Sequence, residues 1–279
     1  MYFIEILKAI FLGIVEGITE WLPISSTGHM ILVDEFITLN LSDGFKEMFF
    51  VVIQLGAICA VPVLFWDKLY PFSKGKSKED TMATVRLWFK VIVGALPAAV
   101  IGLLFDSLLE KYLYGAIVIA LALVVYGVAF ILIEKINVKR GNSFRVNSVS
   151  DITYKDALAI GAFQVLSLIP GTSRSGSTII GGMLSGVSRS ASAEFSFFMA
   201  IPIMIGASGY KILKFALSGA SVSGNEVILL LIGIIVSFIV SLAVIRFLMD
   251  FVKRHTFASF GVYRIVLGIL VLGYFLIFN

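Results

Sequence analysis

Six long apolar stretches dominate the sequence and limit the kind of structure that the chain can form. They cover residues 47–66, 84–105, 112–134, 192–213, 226–248 and 259–277. A helix needs about 20 apolar residues to cross the hydrocarbon core of a bilayer, and each stretch approaches or exceeds this length. Only 14% of the 279 residues are charged, against about 25% in soluble domains. The sequence therefore predicts an all-α polytopic membrane protein.

The chain also contains an internal repeat, which is visible when each residue is compared with the one 148 positions later. The matches are Gly13 with Gly161, Ser25 with Ser173, Thr27 with Ser175, Gly28 with Gly176, Phe49 with Phe197 and Phe50 with Phe198. We predict one integral membrane domain over residues 1–279, with a first repeat 1–134, a polar linker 135–155 and a second repeat 156–279.

Each half begins with a helix, a polar loop and a second short helix, followed by its three long stretches. The first helix covers residues 4–22, and the segment after Pro23 is short; residues 156–169 and 174–187 are short as well. Short paired helices around a polar loop are typical of re-entrant hairpins, which enter the membrane and return to the same side. Three crossings per half then predict an inverted-topology repeat, with eight full crossings as the alternative.

Basic residues are concentrated on one side of this predicted topology, in the linkers 67–83 and 135–155 and in the turns near 188 and 253. The positive-inside rule makes that side cytoplasmic and places both termini outside, so a reporter fused to Asn279 should be extracytoplasmic. The net charge of +4 then reflects membrane orientation and does not indicate nucleic-acid binding. The single cysteine, Cys59, lies inside an apolar stretch and is interpreted as ordinary packing.

Three charged residues, Glu16, Glu20 and Arg174, lie in apolar surroundings. A charge at membrane depth costs at least ~2.5–3.5 kcal/mol, so such residues usually face a partner or a water-filled cavity. Glu16 and Glu20 share one helix face, and Gly13 and Gly17 beside it let another backbone come close. Two like charges one turn apart favour a bound cation or a shared proton. The alternative is helix–helix hydrogen bonding by a protonated pair.

The two loops have the composition of anion-binding sites. In each, a proline ends the incoming helix and a Ser or Thr caps the next one, whose free N–H groups attract anions. Arg174 adds a guanidinium that can bind phosphate through two hydrogen bonds. The candidate substrate-binding residues are Ser25, Thr27 and Gly28 in the first loop and Gly171, Thr172, Ser173, Ser175 and Gly176 in the second.

The assembled groups suit phosphate-ester chemistry, because they include hydroxyl nucleophiles, a cation and two carboxylates. Glu16 and Glu20 are candidate ligands for Mg²⁺ or Ca²⁺, which prefer carboxylate oxygens. His29 is a candidate general acid–base or phosphate donor, or alternatively orients a loop serine. Gln54, inside an apolar stretch, either lines the site or bonds a neighbouring helix.

The loops resemble the two signature regions of the undecaprenyl-diphosphate phosphatase family, the bacitracin-resistance family. They read Glu16-Gly-Ile-Thr-Glu20-Trp-Leu-Pro-Ile-Ser-Ser-Thr-Gly-His29 and Pro170-Gly-Thr-Ser-Arg-Ser-Gly176, and the match in order and spacing covers essentially the whole chain. The resemblance implies hydrolysis of undecaprenyl diphosphate to the monophosphate carrier lipid at the outer face of a bacterial cytoplasmic membrane. It also implies a divalent metal, a homodimer and a role in recycling the cell-wall lipid.

By position, the resemblance implies roles for individual residues. Ser26 is the expected nucleophile, Glu16 and Glu20 handle metal or protons, Arg174 binds the diphosphate and His29 assists. Ser25 is the reserve nucleophile, and attack by a metal-bound water is the mechanistic alternative.

Two other functions fit parts of the pattern. Inverted repeats with broken helices are a common plan of transporters, including lipid flippases, but binding alone does not need the glutamate pair, the serine and the arginine together. The other large class of membrane lipid phosphatase uses a histidine nucleophile and a second motif containing histidine, which this chain lacks.

Overall fold

The computed structural model describes residues 2–113 and 115–278, except the side chains of Asp43, Asp106, Ser107, Glu110, Lys111 and Phe278. Its α-helices are α1 (Tyr2–Thr19), α2 (Ser26–Phe36), α3 (Asp43–Leu64), α4 (Trp66–Leu69), α5 (Lys78–Leu113), α6 (Ala116–Lys139), α7 (Tyr154–Val165), α8 (Arg174–Leu184), α9 (Arg189–Leu217), α10 (Gly224–Arg254) and α11 (Ala258–Phe278). Two 3₁₀ turns, Val149–Asp151 and Leu166–Leu168, lie before and after α7.

Six of the described helices are long and apolar enough to cross a membrane, namely α3, α5, α6, α9, α10 and α11. The prediction of an all-α, multi-pass membrane protein is confirmed. The helices extend beyond the predicted stretches: α5 begins at Lys78 and α10 ends at Arg254. Hydropathy marks only the part of a helix in hydrocarbon, whereas the backbone hydrogen bonds continue until the helix is capped in the polar layer.

The two pairs of shorter helices, α1 with α2 and α7 with α8, each return to the end where they began. Lys8 in α1 donates a hydrogen bond to the carbonyl of Thr38, just after α2. In the second pair, the backbone N–H of Arg145, ahead of α7, donates to the carbonyl of Gly186, just after α8. The connecting loops are buried, with Ser25 only 1% exposed. The hairpins therefore bring their polar loops into the interior.

Polar contacts hold together the segments at each end of the molecule. At one end, Glu134 of α6 pairs with Arg189 at the start of α9 and accepts a hydrogen bond from the N–H of Phe257, just before α11. At the other end, the N–H of Ser42 ahead of α3 donates to Glu226 in the first turn of α10. The linker 135–155 thus lies at the same end as the turns near 188 and 253.

The two halves pack on each other in a reciprocal manner. Helix α1 packs on α10 and its counterpart α7 packs on α5, while α3 contacts α9 and α6 contacts α11. A Cβ at Gly13 would lie 2.9 Å from the Gly233 carbonyl oxygen, and one at Gly161 would lie 2.2 Å from that of Gly94. Glycine is required at these crossings, and the prediction that Gly13 admits another backbone is confirmed.

The position of Cys59 differs from the expectation. It is exposed on α3, so the interpretation as ordinary packing is wrong. A membrane-crossing helix is apolar on all faces, and hydropathy therefore does not separate its outward residues from its packed ones. The predicted location of Asn279 concerns a residue outside the described ranges.

Candidate active site

The two hairpin loops share a backbone conformation that residues other than glycine rarely adopt. Ser25 has a φ of 76° and Ser173 a φ of 75°, and such strain costs about 1–3 kcal/mol per residue. Each serine caps the following helix: Ser25 Oγ accepts from the Gly28 N–H at 3.3 Å, and Ser173 Oγ from the Gly176 N–H at 3.1 Å. The same strain in both halves shows that the surrounding structure holds the loops in place, which is common at functional sites.

Glu20 is the residue at which the two loops meet. Its Oε2 accepts a 2.6 Å hydrogen bond from Ser26 Oγ, and its Oε1 accepts a 2.8 Å hydrogen bond from Arg174 Nη2. Exposure of the side chains is 5% for Glu20 and 11% for Arg174, so solvent screens the ion pair little. One carboxylate thus holds both a serine hydroxyl, for which it can act as a base, and a guanidinium.

Arg174 is further fixed by α9 and by the first loop. Its Nη1 donates to the Ser196 carbonyl at 2.8 Å and to the Ser196 hydroxyl at 3.2 Å. Thr178 donates to the same hydroxyl at 2.7 Å. The guanidinium also lies 5.7 Å from the ring centroid of Trp21, within the range of a cation–π interaction. These contacts set the direction in which the guanidinium points before any ligand binds.

Glu16 lies one helical turn before Glu20 and is completely buried. Neither of its carboxyl oxygens makes a standard hydrogen bond to the residues that the structure describes, although the Glu20 carboxyl is close enough to repel its charge. A buried carboxylate without a partner is costly and calls for a proton or a cation. The equivalent residue of the second half, Gln164, is also fully buried, and its side-chain amide has no hydrogen-bond partner in the part of the chain that the structure describes.

A cavity of about 150 Å³ lies between the two loops. It is lined by Glu20, Ser25, Ser26, Thr27, Gln54, Ser167, Ile169, Pro170, Gly171, Ser173, Arg174, Ile203, Met204 and Ala207. Eight of these residues are candidates from the sequence, including Gln54. A larger cavity of about 390 Å³ near Glu5 and Glu226 lies at one end of the molecule. The smaller cavity is the candidate active site, because groups from both loops face it.

The other candidate residues of the loops do not line this cavity. Gly28 and Gly176 donate their N–H groups to the capping serines, and Thr172 is fully buried. Ser175 Oγ lies 3.3 Å from the Glu20 carbonyl oxygen, to which it donates, so it links the second loop to the first. These residues hold the loops in position.

His29 lies behind the first loop, at the contact between α2 and α11. Its Nδ1 is 2.7 Å from the Ser25 carbonyl oxygen, and its Nε2 is 2.7 Å from the Tyr263 hydroxyl. A carbonyl oxygen only accepts, so Nδ1 carries the proton and Nε2 accepts from the tyrosine. These contacts match the loop-orienting alternative for this residue.

Sequence reasoning missed three residues that shape the site, Arg264, Ser196 and Trp21. Arg264 in α11 is fully buried and donates to the carbonyls of Pro23 and Gly171 at 3.1 and 2.7 Å. Its signal was available, because it is a charge inside the apolar stretch 259–277. Ser196 and Trp21 had no such signal, because serine and tryptophan are ordinary residues of membrane helices.

Comparison with known proteins gives one consistent result. The model of the family described as bacitracin resistance protein BacA matches residues 9–270. An undecaprenyl-diphosphatase of Enterococcus faecalis is 62% identical over 275 residues, which cover 97% of each chain. Similar proteins of the same name come from Desulfitobacterium hafniense, 56% identical over 99% of this chain and 98% of the relative, and from Streptococcus mutans, 56% identical over 98% and 97%.

Proposed function

The chain belongs to the bacitracin resistance protein BacA family, and from this premise we propose that it hydrolyses undecaprenyl diphosphate to undecaprenyl phosphate and inorganic phosphate. Relatives that match over nearly their full length are named undecaprenyl-diphosphatase. The activity would return the carrier lipid to cell-wall synthesis, and its loss would increase sensitivity to bacitracin.

The contact of Ser26, Glu20 and Arg174 at the cavity between the loops carries this proposal. The Ser26 hydroxyl already donates to Glu20, and Glu20 already pairs with Arg174. A nucleophile activated by an adjacent base, next to a cation, is the arrangement that phosphoryl transfer requires. Ser25 lines the same cavity, but its Oγ caps α2, which favours Ser26 as the attacking residue.

In the proposed mechanism, Ser26 Oγ attacks the terminal phosphorus while its proton passes to Glu20 Oε2. The bond between that phosphorus and the bridging oxygen breaks, and undecaprenyl phosphate departs with the bridging oxygen and then takes the proton from Glu20. Water next attacks the phosphoserine, Glu20 takes one proton of the water and returns it to Ser26 Oγ, and inorganic phosphate leaves. Arg174 stabilises the negative charge on the phosphoryl oxygens in both steps.

The family resemblance implies a divalent metal, and the buried carboxylate of Glu16, which accepts no hydrogen bond from the described residues, fits one. Glu16 and Glu20 would hold the ion, which when bound would neutralise charge on the diphosphate oxygens. Among the described residues, no three His, Cys, Asp or Glu side chains cluster as a metal site on their own. The remaining ligands would therefore come from substrate phosphates and water, as is usual for Mg²⁺.

The apolar part of the cavity suits the isoprenoid tail of this substrate. Ile203, Met204 and Ala207 of α9 line the cavity beside the polar loops, and Ile205 on the same helix is 56% exposed. A tail lying along this wall can stay in the hydrocarbon while the head group reaches Ser26 and Arg174. The site would thus open sideways between helices.

We further propose an inverted-topology repeat in the bacterial cytoplasmic membrane, with the site opening to the outer face, both termini outside and a homodimeric assembly. The return of the two hairpins to opposite ends of the molecule supports the inversion, since three long helices separate them. The basic linkers support the cytoplasmic assignment of their end.

The direct test is phosphate release from farnesyl diphosphate, a soluble short-chain isoprenoid diphosphate, by the detergent-solubilised protein. Release that depends on added Mg²⁺ or Ca²⁺ and disappears with a chelator is expected. Binding of the diphosphate without any release would overturn the proposal and favour lipid transport.

A further inference from the structure

The two loops of the candidate site are joined from behind by one side chain, that of Arg264. It lies in the first turns of α11 and is 0% exposed. Its Nη1 donates to the Pro23 carbonyl at 3.1 Å, and its Nη2 donates to the Gly171 carbonyl at 2.7 Å. A single rigid guanidinium therefore sets the distance between the first loop and the second.

Arg264 differs from the other well-buried arginines in having no acidic partner. Arg174 pairs with Glu20 and Arg189 pairs with Glu134. Among the described residues, Arg264 forms no ion pair; its contacts are two backbone carbonyls and the face of Tyr126, 5.7 Å from the ring centroid. Its Nε is buried without an acceptor among those residues. The positive charge is thus solvated by dipoles and left without a counter-ion.

The positive charge of Arg264 lies where it can attract an anion bound between the two loops. It lies close to the N-terminal turn of α8, since a Cβ at Gly176 would be 3.4 Å from Arg264 Nη1. The N-terminus of α8, like that of α2, already carries partial positive charge. Arg174 is neutralised by Glu20 before any ligand binds, whereas Arg264 adds to the attraction of both helix starts for an anion.

We propose that Arg264 is a positioning residue of the diphosphate site: it holds the two loops at a fixed separation, and its unpaired charge is balanced by the diphosphate when the substrate binds. The inference rests on the proposed function for the identity of the anion. Two backbone carbonyls alone can be bridged by a neutral donor at a lower burial cost. An arginine here without a counter-ion is therefore best explained by an anionic ligand.

The experiment compares Arg264→Gln and Arg264→Lys with the wild-type protein, using farnesyl diphosphate. Gln keeps a donor and loses the charge, whereas Lys keeps the charge. We expect Arg264→Gln to raise KM at least about 10-fold, because the bound anion then loses the attraction of a nearby charge that water does not screen, with kcat within about threefold. Arg264→Lys should stay within about threefold of the wild-type KM, because its charge remains.

Arg189→Gln is the matched control, because it also removes a well-buried guanidinium and its hydrogen bonds, but at the end of the molecule near Glu134. It should lower the thermal midpoint and leave KM unchanged. Equal KM values for Arg264→Gln and Arg264→Lys would overturn the proposal and leave Arg264 a packing role only. If Arg264→Gln does not fold, Arg264→His replaces it. The ratio of its KM to that of the wild type should rise between pH 6 and pH 8, because histidine loses its positive charge over this range. A constant ratio would also overturn the proposal.

The two proposals fail in different ways. If the wild-type protein releases no phosphate, the proposed function is wrong. The role of Arg264 in binding is then tested by the increase in thermal midpoint that farnesyl methylenediphosphonate, a non-hydrolysable analogue, produces. The wild type and Arg264→Lys should be stabilised by it and Arg264→Gln much less. Equal stabilisation of all three would reject the role of the Arg264 charge.

Discussion

The loop after α1 and the loop after α7 have the same backbone conformation but carry different functional groups. In both, a serine with a φ near 75° caps the next helix through its side-chain oxygen. The residue after each cap occupies the equivalent position, yet it is Ser26 in the first half and Arg174 in the second. Ten residues before each of these positions, the buried acid Glu16 of the first half corresponds to the neutral Gln164 of the second.

This difference shows how a duplicated scaffold becomes one asymmetric site. Two identical loops facing each other would present two acids or two guanidinium groups, and like charges repel strongly away from water. With the acids in one half and the cation in the other, Glu20 and Arg174 attract and close the site. The common backbone supplies a helix N-terminus in each half, and the different side chains supply the acids in the first half and the guanidinium in the second.

The largest effect is expected for Ser26→Ala, which removes the group that has no functional equivalent in the second loop. Phosphate release should fall by about 10³-fold or more, as for loss of a nucleophile, with a small change in thermal midpoint. Ser192→Ala is the control for loss of a buried hydroxyl, because Ser192 bonds the Val187 carbonyl away from the cavity, and it should retain most turnover. Near-normal turnover of Ser26→Ala would reject covalent catalysis by this residue and point to Ser25 or to a bound water.

The pairing of the halves is tested next by Arg174→Gln, Glu20→Gln and the double variant. Each single variant should abolish most activity and cost about 3–5 kcal/mol of stability, since it leaves a buried charge without its partner. The double variant should be inactive but more stable than Arg174→Gln in thermal unfolding in detergent. Additive losses of stability would show that the two residues are not coupled.

Gln164→Glu tests whether the second half tolerates the acid of the first. The buried position lacks a hydrogen-bond partner among the described residues, so an added carboxylate should lower stability by about 1–3 kcal/mol and should not raise activity. Glu16→Gln is the reciprocal change and should weaken the dependence on divalent metal in the phosphate-release assay. An active and equally stable Gln164→Glu protein would contradict the view that the buried acids must be confined to the first half.

The smallest effect is expected at the shared caps. Ser173→Ala loses the cap and keeps the strained φ, at a cost of about 1 kcal/mol, whereas Ser173→Gly relieves the strain and should be close to neutral. The same order, Ala below Gly in thermal midpoint, should hold at Ser25. A different order at the two positions would mean that the loops are not held in the same way.

The sequence predicted much of this site because its signals are local. Charges in apolar surroundings identified Glu16, Glu20 and Arg174, and the repeat identified two loops with serine caps. The apolar run around Gln54 left two readings open, and only the packing of α3 places it at the cavity. Arg264 was missed and Cys59 was misplaced, because both depend on which face of a spanning helix meets the rest of the protein.

The sequence by itself determined the class of molecule, since hydropathy and the length of each apolar stretch are properties of one segment at a time. It also predicted a duplicated chain in which each half carries one polar loop. Only the tertiary structure decided that Glu20 meets Arg174 and that Arg264 reaches both loops. Those contacts join residues far apart in the chain, and they depend on how helices cross at glycines, which no single segment encodes.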